Sequence, residues 1–108
     1  MPHDPHLAEL MRGAFAGRRD ISERKMFGGY CWMLNGNMLC GVEVGRFMFR
    51  VGPALHAQAL ARPGASPMDI TGKPMKGFVW VDADAALKAG LDDWIDFASC
   101  FVGGLPPK

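Results

Sequence analysis

Apolar residues recur at helical spacing near the start of the chain. Leu7, Leu10, Met11, Ala14 and Phe15 share one stripe, and Glu9 and Arg12 fall on the opposite side. Asp4 is a candidate cap, Pro5 suits the first helical position and Gly17 closes the helix. Beyond the polar Arg18, Arg19 and Asp20 the pattern changes to runs of strand length, covering 22–27, 30–34, 38–44 and 47–51. Gly28-Gly29 allows a sharp change of direction between the first two. Asn35-Gly36 predicts a two-residue hairpin, because both central positions of such a turn take positive φ, and Gly45-Arg46 fits a second.

Further along, Pro53 opens a helix to about Ala61 with Leu55 and Leu60 as its apolar stripe. Arg62 to Pro67 reads as a loop, Met68 to Thr71 as a short edge strand, and Gly72-Lys73-Pro74 as a turn. Phe78 to Val81 is a strand by its aromatic and β-branched content, and Asp82 or Asp84 can cap the helical segment that follows, which Gly90 interrupts. Leu91, Trp94, Ile95, Ala98, Phe101 and Val102 form a last helical stripe. Gly103-Gly104 ends it, and 105–108 reads as a frayed tail. The order predicts a single α+β domain over residues 1–108, its ordered core at about 5–103. Its two layers are helices and an antiparallel sheet, a four-strand meander plus a later two-strand hairpin.

Two-residue turns at both hairpins fix a register. Met33 then faces Met38 and Cys31 faces Cys40 across the first, while Val44 faces Phe47 and Val42 faces Phe49 across the second. Strict alternation puts Cys31, Met33, Met38, Cys40, Val42, Val44, Phe47, Phe49 and Val51 on the core side. The other side carries Tyr30, Trp32, Leu34, Leu39, Glu43, Met48 and Arg50. On that side Tyr30, Trp32, Leu34, Leu39 and Met48 form an apolar patch, the expected interaction surface for a protein partner or a second copy in a homodimer.

Composition narrows the function classes. In 108 residues, 49% are hydrophobic and 21% charged, an ordinary globular balance that suits one core. A formal charge of +1 is far from the basic excess that neutralises many phosphates. No apolar run approaches the roughly 20 residues of a membrane span. Residues 1–4 have neither the basic nor the apolar part of a secretory signal, so a cytoplasmic protein is expected. Three cysteines, Cys31, Cys40 and Cys100, are an odd, sparse set that reads as free thiols in a reducing compartment.

The stretch Arg24-Lys25-Met26-Phe27-Gly28-Gly29 continues through an apolar strand, Asn35-Gly36, a second strand and Arg46-Phe47-Met48-Phe49-Arg50-Val51. This run resembles the N-terminal domain of TfoX/Sxy. A weaker echo follows, where Gly72-Lys73-Pro74-Met75 leads through Phe78 and Trp80 to the helix containing Trp94. The resemblance covers about Leu7 to Val102 and implies an antiparallel sheet packed on helices, with a link to regulation of competence and transcription in bacteria. Fuller members of that family carry a second, C-terminal helical domain, whereas this sequence ends just after its last helix. The family brings no catalytic residues to assign.

Candidate chemistry is sparse. Cys31 and Cys40, opposed in the expected register, are a candidate redox pair, although neither belongs to a C-x-x-C motif and core packing explains both. Cys100, in mid-helix, reads as structural. His3 and His6 lack a third ligand, so no metal site is assigned, and His56 has no nucleophile or carboxylate arranged with it. Arg18, Arg19, Arg24 and Lys25 form a candidate basic patch that Arg46, Arg50, Lys73 and Lys76 could extend. With Phe27, Tyr30 and Trp32 nearby, weak binding of single-stranded nucleic acid is an alternative. Asp92, Asp93 and Asp96 are explained by their place at a helix start. The reading is a non-enzymatic interaction module with no cofactor and no identified small-molecule substrate, the thiol switch being the other alternative.

Overall fold

Helical and extended segments follow the hydrophobic periods closely. The computed structural model describes residues 5–26, 29–70 and 73–107. Within them the order is α1 (Pro5–Ala14), β1 (Ile21–Met26), β2 (Gly29–Leu34), β3 (Asn37–Glu43), β4 (Arg46–Arg50), α2 (His56–Leu60), β5 (Ala65–Ile70), β6 (Lys73–Asp82), α3 (Ala83–Ala89) and α4 (Leu91–Val102). The strands form one six-stranded sheet in the order β1-β2-β3-β4-β6-β5. Every neighbouring pair is antiparallel, so the expected meander and later hairpin are both present and β6 joins them by pairing with β4. Asp4, His3, Phe27, Gly28, Thr71 and Gly72 lie outside the described residues, and with them the first cap, half of the first bend and part of the last turn.

Local chemistry accounts for the joints. Asn35 and Gly36 take φ of 51° and 83°, the left-handed pair that a tight hairpin needs. The second turn falls on Val44-Gly45 rather than on Gly45-Arg46. Gly45 holds a φ of 77° at the turn's second central position, and Arg46 is released to pair with Glu43. Val42 therefore opposes Phe47, not Phe49, and Val44 is 58% exposed instead of buried. The edge strand β5 begins at Ala65 and tolerates Pro67 because an edge residue need not donate to a ladder. Gly90, at φ 104°, divides the last helical stretch into α3 and α4, and the Asp82 side chain makes no cap hydrogen bond.

The helices lie on one face of the sheet, α4 packing across β3 and β4 and α1 reaching β3 and α4. Between them and the sheet sit Met11, Trp32, Leu39, Phe47, Phe49, Val79, Val81 and Trp94, all close to fully buried. Trp94 stacks on Phe49 with ring centroids 5.2 Å apart, and Phe15 meets Trp32 at 6.4 Å. Arg12 clips α1 to β1 by donating to both carboxylate oxygens of Glu23 at 2.8 Å while also reaching Glu9. That hydrogen-bonded pairing holds the Glu23 carboxyl below its ordinary range. The C-terminal segment 105–107 is anchored rather than frayed, Lys108 lying outside the described residues. Buried Asn37 donates to the Pro106 carbonyl at 2.9 Å and Leu105 packs on the core.

The decisive irregularity is in β3. Met33 opposes Met38 as expected, but Trp32 opposes Cys40 and Cys31 opposes Gly41, so Leu39 is an extra residue. A bulge of this kind reverses the phase of everything beyond it. Leu39 and Cys40, adjacent in sequence, both point toward the helices. The bulge reconciles two demands. On β2 the larger side chains Trp32 and Leu34 reach the core, and on β3 Cys40 and Val42 do so as well while Glu43 stays on the outer side. Without it, turning Trp32 inward would turn Glu43 inward too, and an unpaired buried carboxylate is costly.

Candidate functional site

The second face of the sheet carries chemistry that no helix covers among the described residues. Row by row across the strands, Arg24, Cys31, Gly41, Met48, Trp80 and Ser66 lie side by side. Cys31, Met48 and Met68 form a small buried cluster there, with Met38, Phe78 and Trp80 half-buried around it and Met33 on the same side by alternation. Gly41 makes room for the Cys31 thiol, since a Cβ at that position would lie 3.2 Å from its sulfur.

Arginines frame this surface. The Arg46 guanidinium lies 3.7 Å from the centre of the Trp80 ring and donates to Glu43 at 2.8 Å. The Arg50 guanidinium lies 5.5 Å from the ring centres of both Phe78 and Phe101. At this end of the sheet β6 crosses close beside the residues that follow β4. The Gly77 carbonyl accepts from the N–H of Val51 at 2.7 Å and of Gly52 at 3.1 Å, and the Gly77 N–H donates to His56 Nδ1 at 3.0 Å. His56 thus carries its neutral-form proton on Nε2 and secures a backbone crossing. A cleft of about 140 Å³ opens here, lined by Arg50, Gly52, Pro53, Lys76, Gly77, Phe78 and Phe101.

Of the residues expected to form a docking patch, only Met48 faces this side. Tyr30, Trp32, Leu34 and Leu39 belong to the core beneath the helices, the first partly buried and the others buried, because the Leu39 bulge and the phase of β2 invert the expected sorting. Cys31, Met33 and Met38, expected inside, lie outside it for the same reason. Cys40, Val42, Phe47, Phe49 and Val51 are inside as expected.

The candidate redox pair is separated by the sheet. Cys31 belongs to the outer cluster, while the Cys40 Sγ contacts Met11 Sδ of α1 at 3.8 Å. Both thiols are free, and burial raises the proton affinity of Cys31 and pushes that of Cys40 up much further. Thiolate is the reactive form, so both should be slow. In native protein an aromatic disulfide reagent at pH 8 is expected to label one thiol rapidly, the exposed Cys100, and all three only after denaturation. Fast native labelling of two or three would contradict this placement.

The basic residues do not gather either. Arg18 is paired with Asp20 at 2.8 Å and lies over Phe15. Arg24 and Lys25, adjacent on β1, alternate to opposite faces, and Arg19 is exposed in the connection before β1. His6 is exposed on α1. Asp93 accepts from Arg62 at 2.9 Å at the start of α4. Among the described residues no group of three or more metal-ligating side chains converges, and no helix is long and apolar enough to cross a membrane. The open face could have been found from its one clear signal, the Arg46-Phe47-Met48-Phe49-Arg50 alternation, which places Met48 beside two cations.

In comparison with known families, the chain matches the TfoX N-terminal domain over residues 13–99. Neither a curated protein nor a solved structure matches it.

Proposed function

The chain belongs to the TfoX N-terminal domain family, and from that premise we propose that it is a non-enzymatic regulatory module that docks a protein partner on the open face of its sheet. The role in competence or transcription that the family resemblance implies forms part of this proposal. One observation carries it: a sheet with all its helices on one side presents methionines and aromatic rings on the other. Methionine side chains are flexible and polarizable, which suits a surface that must adapt to a partner. Arginine and aromatic residues are the types enriched where binding energy concentrates.

The test replaces the facing pair Met33 and Met38 by Met33→Lys with Met38→Glu. Opposite charges directly across antiparallel strands support each other, so the sheet is expected to keep its stability. Burying them under a partner is unfavourable, and association should weaken by more than about tenfold. Sedimentation velocity on the purified chain reads a second copy as the occupant, and capture from a native extract reads a different protein. Undiminished association by the folded double variant would remove this face from the proposal.

A further inference from the structure

Beyond protein docking, we infer that the cleft between Arg50 and Lys76 is a binding site for a small anion carrying a flat apolar group. Its walls are Phe78, Phe101 and Pro53, and among the described residues its only charged lining is those two cations. Among the described residues neither has a carboxylate partner, in contrast to Arg12, Arg18, Arg46 and Arg62, each of which is ion-paired. Backbone groups of the floor are already engaged, since the Gly77 carbonyl takes two N–H groups and the Gly77 N–H goes to His56. Recognition of charge therefore falls to Arg50 and Lys76.

The arrangement is pre-organised. The Arg50 guanidinium lies 5.5 Å from the ring centres of both Phe78 and Phe101, contacts that already restrict it, so less side-chain freedom is lost when it meets an anion. The positive φ of Gly52 (84°) and Gly77 (93°) lets the two backbones touch and shapes the floor. A volume of about 140 Å³ is close to that of engineered apolar cavities that take up one benzene ring. One ring bearing a phosphate or a carboxylate is thus the class of ligand that fits, with the charge at the Arg50 and Lys76 end.

The experiment is a titration of the full chain with phenyl phosphate, benzoate, phenol and inorganic phosphate, read through the amide NMR signals of Gly52 and Gly77. Phenyl phosphate, benzoate or both should shift these signals saturably, and which of them does so identifies the acid group. Phenol should not saturate, and inorganic phosphate should bind more weakly than the aromatic anion. Lys76→Gln, at an exposed side chain with no fold to disturb, should weaken binding by about tenfold, as should Arg50→Gln. The inference is overturned if neither aromatic anion moves the two glycine signals, if Lys76→Gln binds like the parent, or if phosphate alone binds as tightly.

Discussion

Trp32→Ala is expected to lower stability by about 3–5 kcal/mol, a large fraction of the roughly 5–15 kcal/mol that holds a domain of this size together. Trp32 is 2% exposed, lies against Phe15 of the segment after α1, and opposes Cys40 in the heart of the helix-covered side. Removing the indole leaves a cavity between two layers that are tied elsewhere, so the surroundings cannot collapse to fill it. Trp80→Ala is the matched control, because Trp80 is half-buried on the open side, at the edge of the small Cys31, Met48 and Met68 cluster and beneath the Arg46 guanidinium. Its loss should cost less than half as much. Urea unfolding of both variants decides the matter, and a Trp32→Ala protein as stable as the Trp80→Ala protein would contradict the assignment of faces.

Gly52→Ala is the second large effect. At φ 84° a side chain is already strained, and the added carbon would lie 2.4 Å from Cδ1 and 2.5 Å from Cγ of Phe101. Local strain costs about 1–3 kcal/mol and displacing a packed ring about as much again, giving an expected loss of about 2–6 kcal/mol. Phe101 cannot swing away freely, because it belongs to α4 and also borders Arg50. Gly13→Ala provides the reference: it sits in a helix with nothing within 4 Å of the added carbon, and the change should be neutral or stabilising by up to about 1 kcal/mol. Thermal unfolding of the two variants separates them, and a Gly52→Ala protein melting with the parent would show that the crossing of β6 over Gly52 is looser than described.

Residue chemistry made most of the architecture readable. Asn35-Gly36 fixed a hairpin, Gly90 marked the division of the last helical stretch, and the alternation of Phe47 and Phe49 with Met48 and Arg50 set the phase of β4. β2 offered no such marker. Tyr30-Cys31-Trp32-Met33-Leu34 is apolar at every position, so nothing in it says which alternate set meets water. The phase had to be carried across from β3 by counting, and the bulge at Leu39 broke the count. Leu39 and Cys40 are both small enough in polarity to be buried together, which is why the sequence pattern conceals the extra residue. The candidate docking patch and the cysteine pair both depended on that count, and both changed with it. The cleft was hidden for a different reason: it joins Arg50 and Phe78 to Phe101, residues brought together by the β4–β6 pairing and the path of α4, which no local pattern encodes. The glycines that permit this approach, Gly52 and Gly77, look in sequence like ordinary loop and strand punctuation.

Sidedness of the central strands is the claim on which the open face, the inert cysteines and the docking proposal all rest. A nuclear Overhauser spectrum of the labelled protein tests it without any substitution. The account predicts contacts from the Trp32 ring to Phe15, backbone contacts pairing Trp32 with Cys40, and contacts from the Met48 methyl group to Cys31 and Trp80. Contacts joining the side chains of Cys31 and Cys40, or the Trp32 ring and Met48, would place the helices on the other side of β2 and contradict it.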